Sequence, residues 1–293
     1  MNRSTGKFFV LMAAALFVML TGVSCSRVKL APEFSRLPLT GITEKERTLS
    51  LALPSGNVLL KADSSRIETG GAAIVMPDLL RRSEKGVWQL PARSVDTVLA
   101  ALADNDRPVV RRILIDPGHG GSDPGALCVI DKVAEKNLNL DMALKLGAAL
   151  EKRNFQVIFT RNDDVALPLE KRAGHAPADL FISVHHNAAV KRESAGFECF
   201  VLLTDDASRF PTIRQSVKIA LQLQRHQSRV SGNPGRGVKF ANFKVLRDAG
   251  CPALLIECGF LTNPDEAAKL LSDSYRQLMA EALAAAIAQT VSL

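Results

Sequence analysis

Short apolar runs between residues 48 and 76 are separated by turn residues. The turns are Pro-Ser-Gly-Asn at 54–57 and Gly-Gly at 70–71, a spacing typical of β-strands joined by tight connections. We predict strands over residues 48–53, 58–62, 66–68, 72–76 and 87–90, and a helix over 94–103. Together they predict a small β-rich α+β module over residues 48–106. The alternative is that they form the first layer of one larger domain.

From residue 111 onward, apolar strands alternate with amphipathic helices. The predicted strands cover residues 112–115, 156–160, 180–184, 196–202, 243–246 and 253–256. Helices are predicted over 135–152, from Pro264 onward, and over 274–290. This alternation indicates an α/β fold over residues 111–293, with a single sheet covered by helices.

The first 25 residues have the three parts of a secretory signal peptide. Arg3 and Lys7 precede an uncharged apolar run over residues 8–20, which is shorter than the roughly 20 residues that a bilayer span needs. Small residues directly before Cys25 resemble a bacterial lipoprotein signal, in which this cysteine is acylated. We expect export to the periplasm. Membrane attachment through a lipidated Cys25, a plain signal peptide cut nearby and an uncleaved anchor all stay open.

Residues 26–47 are polar and contain scattered prolines. Such a composition suits an extended connection rather than a packed element. We therefore predict a linker between the leader and the folded body.

Composition narrows the class of function. Hydrophobic residues make up 47% of the chain and charged residues 23%, as in ordinary globular proteins. Aromatic residues are only 5%, which argues against base-stacking surfaces, so we expect no nucleic acid partner. The net charge of +7 does not identify a partner.

Four cysteines follow the leader: Cys128, Cys199, Cys251 and Cys258. Disulfides are permitted in an exported chain, but the spacing of these cysteines assigns no pairs. Buried thiols are the simplest expectation.

Four positions carry candidate chemistry. His119 lies in a glycine-rich loop directly after a predicted strand, and this loop lacks the Lys-Ser/Thr step of a phosphate-binding loop. His185 and His186 end another strand, and only one of them can face a given site because side chains alternate along a strand. Glu257 follows a third buried strand, where a carboxylate needs a partner, a metal or a catalytic role. Glu135 begins a helix.

Two histidines and a glutamate with an open fourth position form a catalytic zinc site, and a further glutamate can accept the proton of a water molecule. The four residues are too far apart in the sequence for a local metal-binding motif. Taken singly, each of them also has an ordinary structural interpretation.

Five motifs occur in a fixed order along the second region. They are Asp-Pro-Gly-His-Gly-Gly at 116–121, Glu-Lys-Asn at 135–137, Ser-Val-His at 183–185, Arg-Gly-Val at 236–238 with Phe243 and Val245-Leu246, and the segment 252–263. In this order they resemble the motifs of zinc-dependent N-acetylmuramoyl-L-alanine amidases of the amidase_3 type. The resemblance covers about residues 111–291. It implies an α/β domain that binds Zn²⁺ through His119, Glu135 and His185. It also implies that Glu257 is the catalytic acid/base and that the substrate is the amide joining N-acetylmuramic acid to L-alanine in peptidoglycan.

Two other functions stay open. One is a zinc peptidase that cuts within the stem peptide, and the other is a wall-binding protein that no longer turns over substrate. The presence of all four site residues weighs against the second.

The sequence departs from the family pattern at three places. His186 stands beside His185, the segment between Arg172 and Asp179 is short, and residues 188–195 leave no space for the inhibitory helix that division-associated amidases insert there. We therefore expect the site to be open without an activator.

Overall fold

The computed structural model describes residues 28–54, 56–70, 72–232 and 235–293. The predicted signal peptide and Cys25 lie outside these residues. Among the described helices, none combines the length and the apolar character that a membrane crossing requires.

Strands account for most of the apolar runs in the sequence. In chain order they are β1 (Lys29–Leu30), β2 (Gly41–Lys45), β3 (Thr48–Leu53), β4 (Gly56–Lys61), β5 (Arg66–Thr69), β6 (Ala72–Val75), β7 (Arg81–Arg82), β8 (Val87–Gln89), β9 (Arg112–Pro117), β10 (Gln156–Phe159), β11 (Leu180–Asn187), β12 (Glu198–Leu202), β13 (Gly237–Ala241) and β14 (Ala253–Phe260). Eleven of them form one sheet in the order β10-β9-β11-β14-β12-β13-β6-β5-β4-β3-β2, and β1, β8 and β7 form a small second sheet.

Helices cover the sheet. They are α1 (Ala92–Ser94), α2 (Ala100–Ala103), α3 (Glu135–Glu151), α4 (Leu169–Arg172), α5 (Phe210–Ser231), α6 (Lys244–Asp248), α7 (Pro264–Leu271) and α8 (Asp273–Thr290). A π-helical turn, Val95–Leu99, joins α1 to α2. α8 packs between α3 and α5, which in turn contact the strands, and α4 contacts α6. The predicted α/β fold is confirmed.

Four neighbouring strands, β10, β9, β11 and β14, run parallel. β9, β11 and β14 are almost entirely buried, as expected for strands with both faces covered. Parallel strands place their carboxyl ends at the same edge of the sheet, which is where open α/β sheets carry their sites.

The linker predicted over residues 26–47 is wrong for its described part. β1 pairs with β8 and β2 pairs with β3, so this segment belongs to the sheets. Pro32 begins a short 3₁₀ helix, and Phe34 within it is fully buried. Burial of this aromatic ring outweighs the extended tendency that the prolines suggested.

The strand predicted over residues 243–246 is also wrong. The segment begins α6, and the strand lies earlier, at β13. A short apolar run is compatible with a buried helix as well as with a strand, so its pattern cannot distinguish the two. The long helix α5 was not predicted.

The β-rich module and the second region share one sheet. Val238 in β13 pairs with Ile74 in β6. Cations on α5 extend the contact, since Arg225 donates to the carbonyls of Gly70 and Thr69 and Lys218 pairs with Asp104. Whether residues 48–106 fold as a separate domain stays a prediction, but the continuous sheet favours one larger body.

Candidate active site

The carboxyl edge of the parallel strands brings together all four predicted site residues. His119 follows β9, His185 lies near the end of β11 and Glu257 lies in β14. Glu135 is the first residue of α3, where a carboxylate also interacts favourably with the helix dipole. Three of the four point their donor atoms at one another, and the fourth lies beside them.

His119, Glu135 and His185 form a compact cluster of donors. One ligand atom from each lies within 4.8 Å of the others. Glu135 Oε1 is 3.2 Å from His119 Nε2 and 3.0 Å from His185 Nδ1. The two imidazole rings are 4.9 Å apart and nearly perpendicular. Their donor atoms therefore converge on one point.

The protonation of this cluster fits a cation site. The Glu135 carboxylate, with help from Asp123, raises the pKa of His119 to about 9. Burial acts to raise the pKa of Glu135, but hydrogen bonds from His119 and His185 hold it well below its usual range. The raised pKa means that His119 binds a proton readily beside the Glu135 carboxylate. A divalent cation bound by these donors would displace that proton. Two imidazoles and a carboxylate are a donor set that zinc prefers.

Two glycines leave room for the donor groups. A Cβ at Gly118 would lie 2.2 Å from Cε1 of His185, and a Cβ at Gly125 would lie 2.6 Å from Oε2 of Glu135. Gly125 also has a positive φ of 65°. Any side chain at either position would displace a donor.

His119 itself has a left-handed backbone, with φ of 61°. A non-glycine residue in this region costs about 1–3 kcal/mol and persists only where the surroundings impose it. Its Nδ1 lies 2.8 Å from Oδ2 of Asp123, which orients the ring and leaves Nε2 toward Glu135.

The side chains of His185 and His186 have different surroundings, as alternation along a strand predicts: that of His185 is partly exposed and contacts Glu135, whereas that of His186 is buried. His186 is buried and its Nδ1 lies 2.7 Å from Oδ1 of Asn139 on α3. Burial lowers the pKa of His186 to about 4. The Asn139 amide also donates to Glu135 Oε1, so His186 contacts the donor cluster indirectly, through Asn139.

Glu257 lies beside the cluster without a partner for one of its oxygens. Its Oε2 is buried and, within the described residues, accepts no hydrogen bond. Burial and repulsion from Glu135 and Glu198 raise the pKa of Glu257 well above its usual range. A carboxyl group with a raised pKa and one oxygen free of hydrogen bonds is suited to hold a proton.

A cleft of about 510 Å³ opens onto the cluster. His119 and His185 line it together with segments 167–169 and 243–245 and Leu255. Leu169 and Phe243 are exposed, so the cleft offers apolar surface beside the polar centre.

Several residues of the site were not predicted. Asp123 stands four positions after His119, and that spacing was the available signal for it. Asn139 lies one helical turn after Glu135, which was also a usable signal. Arg161 and Arg172 gave none, because they reach the site from outside every motif.

A family model described as N-acetylmuramoyl-L-alanine amidase matches residues 113–289 of the chain. The chain belongs to the N-acetylmuramoyl-L-alanine amidase family. The resemblance drawn from its motifs is thereby confirmed. The matched residues contain the whole candidate site.

Curated relatives and solved structures agree with the family. The chain is 30% identical over 225 residues to the amidase AmiC of Escherichia coli O6:H1, covering 63% of this chain and 53% of the relative. It is 34% identical over 180 residues to LytC of Bacillus subtilis, covering 60% and 35%. An amidase structure from Clostridium difficile 630 matches with TM-score 0.55 and 35% identity, covering 60% of this chain and 94% of that one. The chain thus spans about half or less of the length of these two curated relatives.

Proposed function

We propose that the protein is a zinc-dependent N-acetylmuramoyl-L-alanine amidase, which hydrolyses the amide between N-acetylmuramic acid and L-alanine in peptidoglycan. The cluster of His119, Glu135 and His185, with the buried Oε2 of Glu257 that accepts no hydrogen bond from the described residues, carries this proposal. Family membership and the names of the relatives support the substrate.

His119, Glu135 and His185 would hold the zinc ion. When bound, zinc polarises a carbonyl group and makes a water molecule more acidic. Asp123 orients the His119 ring, and Asn139 together with the backbone N–H of Ala126 orients the Glu135 carboxylate. These contacts fix the direction of the donors before any ligand arrives.

Glu257 moves the proton. Its carboxylate accepts a proton from the attacking water, whose oxygen forms a bond to the lactyl carbonyl carbon. Glu257 then returns this proton to the alanine nitrogen as the carbon–nitrogen bond breaks, which leaves a carboxylic acid and a free amine. The raised pKa of Glu257 suits it to both steps.

The cleft places the substrate. Leu169 and Phe243 provide exposed apolar surface on segments that flank the two histidines, against which the carbon skeleton of the substrate can lie. His185 lies in the wall of this cleft, so a substrate bound in it reaches the cluster directly.

The predicted leader bears on the cellular location of the protein. We propose that residues 1–25 direct export to the periplasm, where peptidoglycan lies, and that Cys25 attaches the mature chain to a membrane through acyl chains. The mature N-terminus tests this part. A first residue other than an acylated Cys25 contradicts the anchor and leaves the catalytic proposal unaffected.

Mass analysis of muropeptides tests the reaction. The purified chain is incubated with peptidoglycan, with and without a chelator, and its zinc content is measured in parallel. Free stem peptides that begin at L-alanine, lost on chelation and restored by zinc, support the amidase. Shortened stems instead indicate a zinc peptidase, and unchanged muropeptides in a zinc-loaded protein indicate a wall-binding protein.

A further inference from the structure

Two buried arginines donate hydrogen bonds to three consecutive backbone carbonyl groups, those of residues 117–119. Arg161 and Arg172 are 3% and 5% exposed. Arg161 follows β10 and Arg172 ends α4, so both reach the loop from neighbouring elements and not from the loop itself.

Arg172 holds both ends of this turn. Its Nη1 donates to the carbonyl of Pro117 at 3.0 Å, and its Nη2 donates to the carbonyl of His119 at 2.9 Å. Nη1 also donates to Oδ1 of Asp116 at 2.9 Å. Asp116 is itself fixed by hydroxyl donors from Thr160 and Ser183.

Arg161 binds the first two of these carbonyl groups. Its Nε donates to Pro117 O at 2.9 Å and its Nη2 to Gly118 O at 2.8 Å. Nη2 also donates to the carbonyl of Lys136, next to Glu135 on α3, at 3.0 Å. One guanidinium thus links the backbone that carries His119 to the backbone that carries Glu135.

Burying this set of charges would by itself cost free energy. Two buried cations face one buried carboxylate, Asp116, and a buried charge is costly unless polar groups surround it. The carbonyl groups supply that compensation. A guanidinium has five N–H donors in a rigid plane, which allows it to bind several carbonyl groups at fixed angles, whereas a lysine ammonium cannot span them.

We propose that Arg161 and Arg172 are positioning residues, which hold the carbonyl groups of residues 117–119 so that His119 keeps its left-handed backbone and its ring stays directed at Glu135 and His185. The inference rests on the proposed function, in which these three residues bind zinc. Without the two guanidinium groups, the loop relaxes to ordinary backbone angles and the imidazole leaves the cluster.

The test compares three arginine-to-lysine variants of the full chain. Arg172→Lys and Arg161→Lys keep the charge and remove the planar donor set. Arg225→Lys is the matched control, because that guanidinium also binds two backbone carbonyls but lies between α5 and the module. Zinc affinity is measured by competition with a chromophoric chelator, and kcat and KM are measured at saturating zinc.

We expect zinc affinity to fall about 10- to 100-fold in both site variants, the range found for groups that orient metal ligands. At saturating zinc, kcat falls in both site variants while KM stays unchanged in Arg161→Lys, whose side chain does not line the cleft, and Arg225→Lys matches the wild type in all three quantities. Affinities within about twofold of the wild type in folded Arg172→Lys and Arg161→Lys overturn the inference, since orienting groups have larger effects.

Folding failure is covered by a further variant. If neither lysine variant folds, Asp116→Asn, which keeps the shape and removes the charge that fixes Arg172, is judged by the same criterion. A wild-type chain that binds no zinc refutes the proposed function itself. A wild type that binds zinc, with variants that bind it equally well, refutes only the positioning role.

Discussion

His185 and Glu257 are paired residues on the adjacent parallel strands β11 and β14. Paired positions on neighbouring strands project their side chains from the same face of a sheet. An imidazole from the donor cluster and a carboxyl with an unpartnered oxygen therefore lie side by side on rigid backbone. The strand register, and not a flexible loop, therefore sets the position of His185 relative to the Glu257 carboxyl group.

Glu257→Gln tests the separation of these two roles. Glutamine keeps the size of the side chain but cannot accept the water proton, and a general base contributes about a hundred- to ten-thousand-fold to the rate. We expect turnover to fall within that range while one zinc per chain is retained, as checked by metal analysis. Glu281→Gln, on α8, is the control carboxylate. Loss of zinc from Glu257→Gln would make Glu257 a ligand.

Alanine variants of the adjacent histidines test the strand alternation. His185→Ala removes a donor, so we expect loss of zinc and of activity. His186→Ala removes a buried imidazole and its contact with Asn139 but no donor of the cluster, so one zinc per chain is retained while the free energy of unfolding falls by about 1 kcal/mol or more, as for a lost buried hydrogen bond. Metal analysis and thermal unfolding measure both. Full zinc in His185→Ala with none in His186→Ala reverses the assignment.

Gly118→Ala tests whether the site needs the space beside His185. The added Cβ would lie 2.2 Å from the imidazole, so the ring must move away from the other donors. We expect zinc affinity to fall by about tenfold or more. Gly250→Ala is the matched control, because its Cβ would meet nothing within 4 Å. Equal zinc affinity in the two variants would show that the ring has freedom that the structure does not indicate.

The strand-end positions of the site could be predicted from the sequence because they depend on local patterns. An apolar run followed by His119, or ending in His185, is enough to place both at one edge of a parallel sheet. Arg161 and Arg172 could not be found in this way, since they meet the loop at residues 117–119 from 43 and 55 positions away along the chain. Contacts of that kind depend on tertiary packing and do not change the pattern of apolar and polar residues along the chain.

The thiols give a prediction about pH. In the described part of the chain no disulfide links the cysteines: Cys128, Cys199 and Cys258 are buried thiols, and Cys251 is a half-buried thiol. Burial raises the pKa of Cys251 to about 11 and raises the pKa of Cys199 and of Cys258 as well. The thiolate is the reactive form, so a raised pKa lowers reactivity at neutral pH.

We expect iodoacetamide to label these thiols slowly in the native chain at about pH 7, with labelling of Cys251 increasing as the pH rises toward its pKa. Peptide mapping by mass spectrometry measures each site, and the denatured chain is the control in which all four react. Rapid native labelling at neutral pH, or peptides joined by a disulfide, contradicts this expectation.

The open cleft predicts activity without a partner protein. Residues 188–195, which join β11 to the segment before β12, contain no helix, and the side chains of His119 and His185 remain 25% and 19% exposed. A substrate can therefore reach the cluster without first displacing a plug. We expect the purified chain, loaded with zinc, to release stem peptides at a rate that does not change when envelope extract is added. The sheet runs on into the β-rich module, so the chain used should include that module. A zinc-loaded, folded protein that is inert until a second protein is added would show that the cleft closes in a way that the fold of residues 188–195 does not reveal.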